Sequence, residues 1–299
     1  MLTGYHVAIL GGDARQIEII RKLNEWNATV YKAGFDQLNE SFTEAMDLDL
    51  DSDHVSKLDA IILPVPGTDE SGNIDGIFTN RLIHLSEEWL KKTPAHCRIF
   101  TGITNDYLTG LAKKVNRSLH PLMDRDDVAI YNSIPTVEGT LMLAIQHTDF
   151  TIHSSKLVIL GLGRVGMTLA RVFNHMGADV SVGVRSSKNK ARVHEMGLKA
   201  LDMNQLKTED LHCDLLINTV PKLVVDQDVI KQLPSHALII DLASKPGGTD
   251  FSFAEKRGIR AMLAPGLPGI VAPKTAGRII ADVLAGILLE EGRKEKSDD

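Results

Sequence analysis

Six residues constrain this chain more than any others: Gly161-Leu162-Gly163-Arg164-Val165-Gly166, with the glycines in G-x-G-x-x-G spacing. An apolar run, Val158-Ile-Leu160, precedes them. Val165, Leu169, Val172 and Phe173 then recur at helical spacing. The order is strand, tight turn, helix. The first glycine allows the turn, the second lets the backbone approach a pyrophosphate, and the third lets the helix pack on its strand. The helix N-terminus offers N–H groups and the positive end of a dipole to phosphates. A second apolar run over residues 178–184 completes a strand–helix–strand unit. A glycine-rich turn that only packs is the alternative; the flanking elements favour dinucleotide binding.

The end of that second run selects the cofactor. NAD-binding units carry Asp or Glu there, accepting from the ribose 2′-OH. Here Val184 is followed by Arg185-Ser186-Ser187, with Lys188 and Lys190 just beyond and no carboxylate in the run. An arginine forms charge-assisted bonds to a 2′-phosphate, which a carboxylate would repel. The reading is NADP rather than NAD. The bland alternative is that Arg185 is a solvated loop residue.

The remainder alternates in the same manner. Apolar runs predict strands at residues 6–10, 28–31, 59–63, 98–101 and 128–131, with helices over 14–26 and 106–114. A helix from 133 to about 149, capped by Ser133 or Thr136, reads as a connecting rod. Further strands are expected at 214–218, 237–241 and 259–263. A last helix over 275–289 has Ile279, Ile280, Val283, Leu284 and Ile287 along one side, and is long enough to return to the first domain. The expected fold class is α/β: two doubly wound Rossmann-like domains around a cleft, joined by long linker helices. The expected divisions are a substrate domain over 1–132, a linker helix over 133–150 and an NADP-binding domain over 151–273. Residues 274–299 form the returning helix and a charged tail.

Composition narrows the partners. A length of 299 residues suits two ordinary domains. A net charge of −6 with no basic domain argues against nucleic acid. No apolar run approaches the ~18 residues of a membrane span, and the N-terminus lacks a signal pattern, so a cytoplasmic protein is expected. Cys97 and Cys213 each head an apolar run and read as reduced core residues. With no His-x-x-x-His or Cys-x-x-Cys pair, no catalytic metal is expected.

In open α/β sheets, ligands bind outside the carboxyl ends of the strands. Around the fingerprint this nominates Thr219, Val220, Pro221 and Ala243 beside the glycine turn and Arg185, Ser186 and Ser187. In the first domain it nominates Gly12, Asp13 and Arg15, and also Thr104 and Asn105. Gly11 and Gly12 are read as exposing N–H groups at a helix start with Arg15 in its first turn, a seat for a carboxylate. The competing reading has Asp13 as a helix cap and Arg15 paired at the surface. Glu138 and Lys245 are the candidate acid–base residues. Lys274 is a further cation near the same end, and each of the three can equally be a solvated side chain.

The motifs are more specific together. Leu10-Gly-Gly-Asp-Ala-Arg15, Asn132-Ser-Ile-Pro-Thr-Val-Glu-Gly139, Gly161-Leu-Gly-Arg-Val-Gly166, Val184-Arg-Ser186, Asp241-Leu-Ala-Ser244, Ala264-Pro-Gly-Leu-Pro-Gly269 and Ala272-Pro-Lys-Thr-Ala-Gly277 resemble the family of dipicolinate synthase A subunits from spore-forming bacteria, over essentially the whole chain. The layout is also similar to alanine dehydrogenase and adenosylhomocysteine hydrolase relatives. The resemblance implies an NADP-dependent dehydrogenase making pyridine-2,6-dicarboxylate from a dihydrodipicolinate-type intermediate of the lysine pathway. It implies a second, flavoprotein-like B subunit, and the mother cell of a sporulating bacterium. It supplies no catalytic residues. A homo-oligomer is expected on general grounds. Two other readings compete: a shikimate-dehydrogenase-like reductase of a small carboxylic acid, and a non-catalytic NADP-binding subunit.

Overall fold

A computed structural model of the chain describes residues 1–38, 45–208 and 211–295, with side chains described to Glu290. The chain divides into two units, one of Met1–Tyr131 with the segment from Ala272, the other Asn132–Val271.

The first unit contains β1 (His6–Leu10), α1 (Ala14–Glu25), β2 (Thr29–Ala33), β3 (Met46–Asp47), β4 (Ala60–Ile62), β5 (Asn73–Ile74), β6 (Ile83–His84), α2 (Glu87–Lys91), β7 (Arg98–Thr101), α3 (Asp106–Lys114) and β8 (Leu119–Pro121). Six strands form one parallel sheet in the order β3-β2-β1-β4-β7-β8. The chain runs outward from β1 to β3, then crosses to β4, so the switch point lies between β1 and β4. Central strands such as Val7–Leu10 and Ala60–Ile62 are buried on both faces, which is why they read as continuous apolar runs. β5 and β6 form a separate antiparallel ribbon.

A long helix, α4 (Asp126–His147), follows β8. It replaces the strand expected at residues 128–131. Val128 is fully buried whereas Ile130 is 54% exposed. Side chains two apart share a face in a strand, so this difference belongs to a helix. Asp127 accepts a hydrogen bond from Val128 N at 2.8 Å, and acidic residues fill the first turn, where they suit the helix dipole. By length and composition α4 is apolar enough to cross a membrane, unlike any run anticipated from the sequence. Its Val137 and Ala144 are instead core residues of the second unit.

The second unit continues with β9 (Lys156–Leu160), α5 (Arg164–His175), β10 (Asp179–Val184), α6 (Ser187–Glu195), β11 (Lys199–Asp202), β12 (Leu215–Asn218), α7 (Gln227–Ile230), β13 (Leu238–Asp241), α8 (Phe251–Lys256), β14 (Arg260–Leu263) and α9 (Leu267–Val271). Its parallel sheet has the order β11-β10-β9-β12-β13-β14, with the switch point between β9 and β12.

The last helix, α10 (Pro273–Glu295), belongs to the first unit. Its Ile280, Ala281, Leu284 and Leu288 share a core with Ile19, Ile20 and Leu23 of α1. A Cβ on Gly277 would lie 2.5 Å from the Arg15 carbonyl, so glycine is what lets the helices approach there. Arg278 Nε donates to the buried Glu18 carboxylate at 2.6 Å. Both cysteines are free and buried, and burial pushes each thiol up to about 12.

Candidate functional site

At the switch point of the second unit the three glycines have separate causes. Gly161 has φ +100° and leaves no room for a Cβ, which would meet Thr219 Oγ1 at 2.5 Å. A Cβ on Gly166 would collide with the Gly161 carbonyl. Gly166 lies inside the first turn of α5, because the helix opens at Arg164 rather than after the glycines. Gly163 differs from both. Its φ is −83° and nothing lies within 4 Å of where its Cβ would be. The chain itself does not require glycine there, so the open space faces outward. Gly163 is also the N-cap of α5, with no side-chain cap and no acidic residue in the first turn. A helix start left in this state is a seat for phosphate, and these residues fit a dinucleotide. Leu162 and Val165 are half-buried beside the turn, and Arg164 is exposed at its mouth.

The neighbouring loops are shaped by a buried polar network that the sequence reading missed. Asn218 and Asp241, at the carboxyl ends of β12 and β13, are both fully buried. The Asp241 carboxylate accepts from Asn218 Nδ2 (3.1 Å), Ala243 N (3.0 Å), Gly248 N (2.8 Å) and Thr249 Oγ1 (2.6 Å). Asn218 Oδ1 accepts from Val220 N at 3.0 Å, and its Nδ2 also donates to Val220 O. Thr219 Oγ1 donates to Leu160 O at 2.7 Å. Four donors satisfy one buried carboxylate, which offsets its desolvation and fixes two loops relative to each other. Thr219 and Val220 are thereby held against Gly161, Ala243 is buried just after β13, and Pro221 and Lys245 stand exposed on the same loops. A charged residue closing the apolar run at 238–241 was the available signal.

Beyond β10, Arg185 is exposed and Ser186 caps α6, its Oγ accepting from Asn189 N at 3.2 Å. Ser187 is the first residue of α6. A carboxylate does stand nearby: Asp202, at the end of β11, pairs in register with Val184 and is bonded to Lys190 Nζ at 2.7 Å. It was invisible in the run after Val184 because it lies one strand away. Glu138 is exposed on α4.

The first unit's turn corrects an expectation. Gly11 N donates to Ala33 O and Gly12 N to Asp75 O, both at 2.8 Å, so neither N–H is free to bind a carboxylate. Asp13 caps α1 in a reciprocal box with Gln16. Arg15 lies on the same carboxylate, with Nε at 2.9 Å from Oδ1 and Nη2 at 2.6 Å from Oδ2. Burial alone would raise the Asp13 pKa, but the Arg15 hydrogen bonds and charge outweigh it and hold the carboxyl below the usual range. Asp13 is thus both helix cap and ion-pair partner, as the competing reading had it, but the Arg15 side chain is only 12% exposed and does not lie at the surface. Asn105 is likewise committed: Oδ1 caps α3 through Leu108 N, and Nδ2 donates to Thr68 O, both at 2.8 Å. Thr104 is exposed and shares a hydrogen bond with Thr109 Oγ1 at 2.9 Å.

An uncapped helix over a glycine turn, at the switch point of a parallel doubly wound sheet, defines a dehydrogenase-type Rossmann unit, here accompanied by a second doubly wound unit. Comparison with known proteins agrees. Residues 131–281 match the family model of the alanine dehydrogenase/PNT C-terminal domain, and residues 6–123 match that of the N-terminal domain of the dipicolinate synthase A subunit. The chain is 54% identical over 290 residues to the dipicolinate synthase A subunit of Bacillus subtilis (strain 168), covering 97% of this chain and 98% of that one. It superposes with a TM-score of 0.92 on the crystal structure of the dipicolinate synthase A subunit from Bacillus halodurans, at 56% identity, over 96% of this chain and 99% of that one. A transhydrogenase from Sinorhizobium meliloti shares the fold alone, at 12% identity and TM-score 0.67 over 95% and 94% of the two chains. The chain belongs to the family of dipicolinate synthase A subunits.

Proposed function

We propose that this chain is the NADP-dependent dehydrogenase subunit of a dipicolinate synthase, oxidising a dihydrodipicolinate-type intermediate of the lysine pathway to pyridine-2,6-dicarboxylate during sporulation. The reading places it in the mother-cell cytoplasm, as a homo-oligomer working with a flavoprotein-like B subunit. The observation that carries it is the open Gly163 turn at an uncapped α5, in a chain of this family. NADP, when bound, supplies the hydride acceptor. The chain's own part is positioning, because forming an aromatic ring is strongly downhill and needs little acid–base power. Gly163 and the N-terminus of α5 hold the pyrophosphate, and Arg185, Ser186 and Ser187 hold the 2′-phosphate. The Asp241 network orients Thr219, Val220 and Ala243 beside the cofactor. Glu138 and Lys245 are the candidates for proton transfer, including any elimination of water from a hydroxylated precursor.

For substrate carboxylates the first unit offers the exposed Thr104 hydroxyl and the Arg15 Nη1, which Asp13 leaves unused. Arg15→Ala should raise KM for the dicarboxylate about tenfold or more, the worth of a charge-assisted pair, with dinucleotide Kd unchanged. An unchanged KM removes Arg15 from the substrate site. The commitment of Asn105 and of the Gly11 and Gly12 N–H groups favours one other reading, in which the flavoprotein-like partner completes the substrate site. The deciding assay follows absorbance at 340 nm with freshly generated precursor, NADP or NAD, and that partner supplied last. Turnover with NADP before the partner is present supports a self-sufficient dehydrogenase. Turnover only afterwards supports the shared site, and binding without any turnover supports a non-catalytic role.

A further inference from the structure

We infer that Lys190 is a determinant of cofactor choice, acting not as a phosphate ligand but by neutralising Asp202 at the edge of the 2′-phosphate position. The inference rests on the NADP reading above. β10 and β11 are parallel neighbours, and Val184 pairs with Asp202 as the last residue of each. The next residue after Val184 is Arg185, the cation assigned to the 2′-phosphate. Adjacent strands are separated by only about 4.8 Å, so a carboxylate stands one strand away from that cation. A sheet of this order therefore carries at its edge the very charge a phosphorylated dinucleotide must avoid.

Lys190 answers that charge. Its Nζ lies 2.7 Å from Asp202 Oδ2, while Asn204 N donates to Oδ1 at 2.9 Å. The lysine hydrogen bond, followed by that of Asn204, keeps the Asp202 carboxyl below its ordinary range, so the group stays ionised and the lysine stays engaged. Lys190 is also well anchored. Its own N donates to Ser186 O at 3.0 Å in the first turn of α6, and Ser186 caps that helix. The pair is thus electrically neutral, while Arg185 and Lys188 remain exposed beside it.

The consequence differs between the two dinucleotides. A 2′-phosphate carries close to two negative charges and is repelled by an uncompensated Asp202. A ribose 2′-hydroxyl feels little of that repulsion and can donate to a carboxylate. Losing Lys190 should therefore weaken NADP selectively. A pair that merely fastens α6 to β11 would instead weaken both nucleotides together.

The test measures Kd of NADP+ and NAD+ by titration calorimetry on the full-length chain, at low salt and at 0.5 M salt. The proteins are the wild type, Lys190→Met, Asp202→Asn and the double variant. At low salt Lys190→Met should weaken NADP+ about tenfold, as expected for one like charge beside a phosphate at high effective dielectric, and the loss should shrink at high salt. NAD+ affinity should hold, and the double variant should recover NADP+ affinity. An NADP+ loss that Asp202→Asn does not rescue means Lys190 touches the phosphate itself, and overturns the inference. Equal losses for both nucleotides also overturn it, leaving a structural pair. A wild-type chain that favours NAD+ removes the NADP reading instead, and is recognised before any variant is compared.

Discussion

Each unit contains a parallel strand followed by a glycine turn and a helix, yet the turns end in opposite states. After β1, the Gly11 and Gly12 N–H groups are taken by Ala33 O and Asp75 O, and Asp13 caps α1 while gripping Arg15. After β9, α5 has no side-chain cap and open space over Gly163. A shared topology therefore does not confer a shared site. What matters is whether the chain satisfies its own helix start or leaves it to a ligand. In the first unit the satisfying groups come partly from far along the sequence, since the Asp75–Ile77 segment pairs with Gly12. In the second unit Gly161 N donates to Gly183 O at 2.9 Å, just as Gly11 N donates to Ala33 O, but among the described residues no segment like Asp75–Ile77 pairs with the next residues of the turn.

The sharpest way to break this comparison is to place a charge on the open turn. Gly163→Asp puts a carboxylate where the phosphates belong, and the backbone there accepts any residue. Aspartate is moreover a good N-cap, so the helix should not suffer. Dinucleotide Kd should rise at least ~100-fold, worth roughly 3 kcal/mol, while Tm holds or increases. A variant that binds normally would dissociate the glycine turn from the cofactor.

The converse substitution probes the closed turn. Gly11 has φ +60°, and its Cβ would lie 2.6 Å from Asp75 O. Gly11→Ala therefore incurs a left-handed backbone penalty and a clash with main chain, together roughly 3 kcal/mol of stability. Chemical denaturation should show that loss, with dinucleotide affinity of the folded protein unaltered. A loss of affinity without loss of stability would show that the closed turn is a ligand seat after all.

The difference between the turns was only half legible in the sequence. Gly161, Gly163 and Gly166 announce themselves because the spacing is local and the flanking strand and helix are strongly periodic. Residues 98–101 and 106–114 are read at their observed limits for the same reason. The closure of the first turn depends on Ala33 and Asp75, which no local pattern connects to Gly11 and Gly12. Asp202 escaped notice likewise, because its proximity to Val184 is a matter of sheet register. The run Val128-Ala-Ile-Tyr131 misled because four apolar residues are too few to separate a strand from a helix. β8 was missed because it is three half-buried residues ending in proline. The loop positions of Thr219, Val220 and Ala243 follow from topology, but what holds them, a buried Asn218–Asp241 pair, is seen only in three dimensions.

The smallest expected effect separates the two devices that close the first turn, the cap and the ion pair. Asparagine caps a helix about as well as aspartate but cannot hold Arg15 by charge. Asp13→Asn should therefore cost about 0.5 kcal/mol at pH 7, in the range of partly exposed ion pairs, whereas Asp13→Ala should cost about 1 kcal/mol or more. The folded-state carboxyl lies below its unfolded value of about 3.9, so its contribution is fully present above that pH. It is lost as the pH falls through the folded value, where the native group must also take up a proton. The stability difference between wild type and Asp13→Asn should accordingly be constant from pH 7 to about 5, shrink below about 3.9, and vanish only once the pH lies below the lowered folded-state value. A gap that persists in acid would assign the closure to the cap alone. The same variant releases the Arg15 guanidinium beside an uncharged cap and so makes the first turn more like the second. If Asp13→Asn then binds the dicarboxylate more tightly, with no change in dinucleotide affinity, the Asp13–Arg15 pair is what sets the two turns apart.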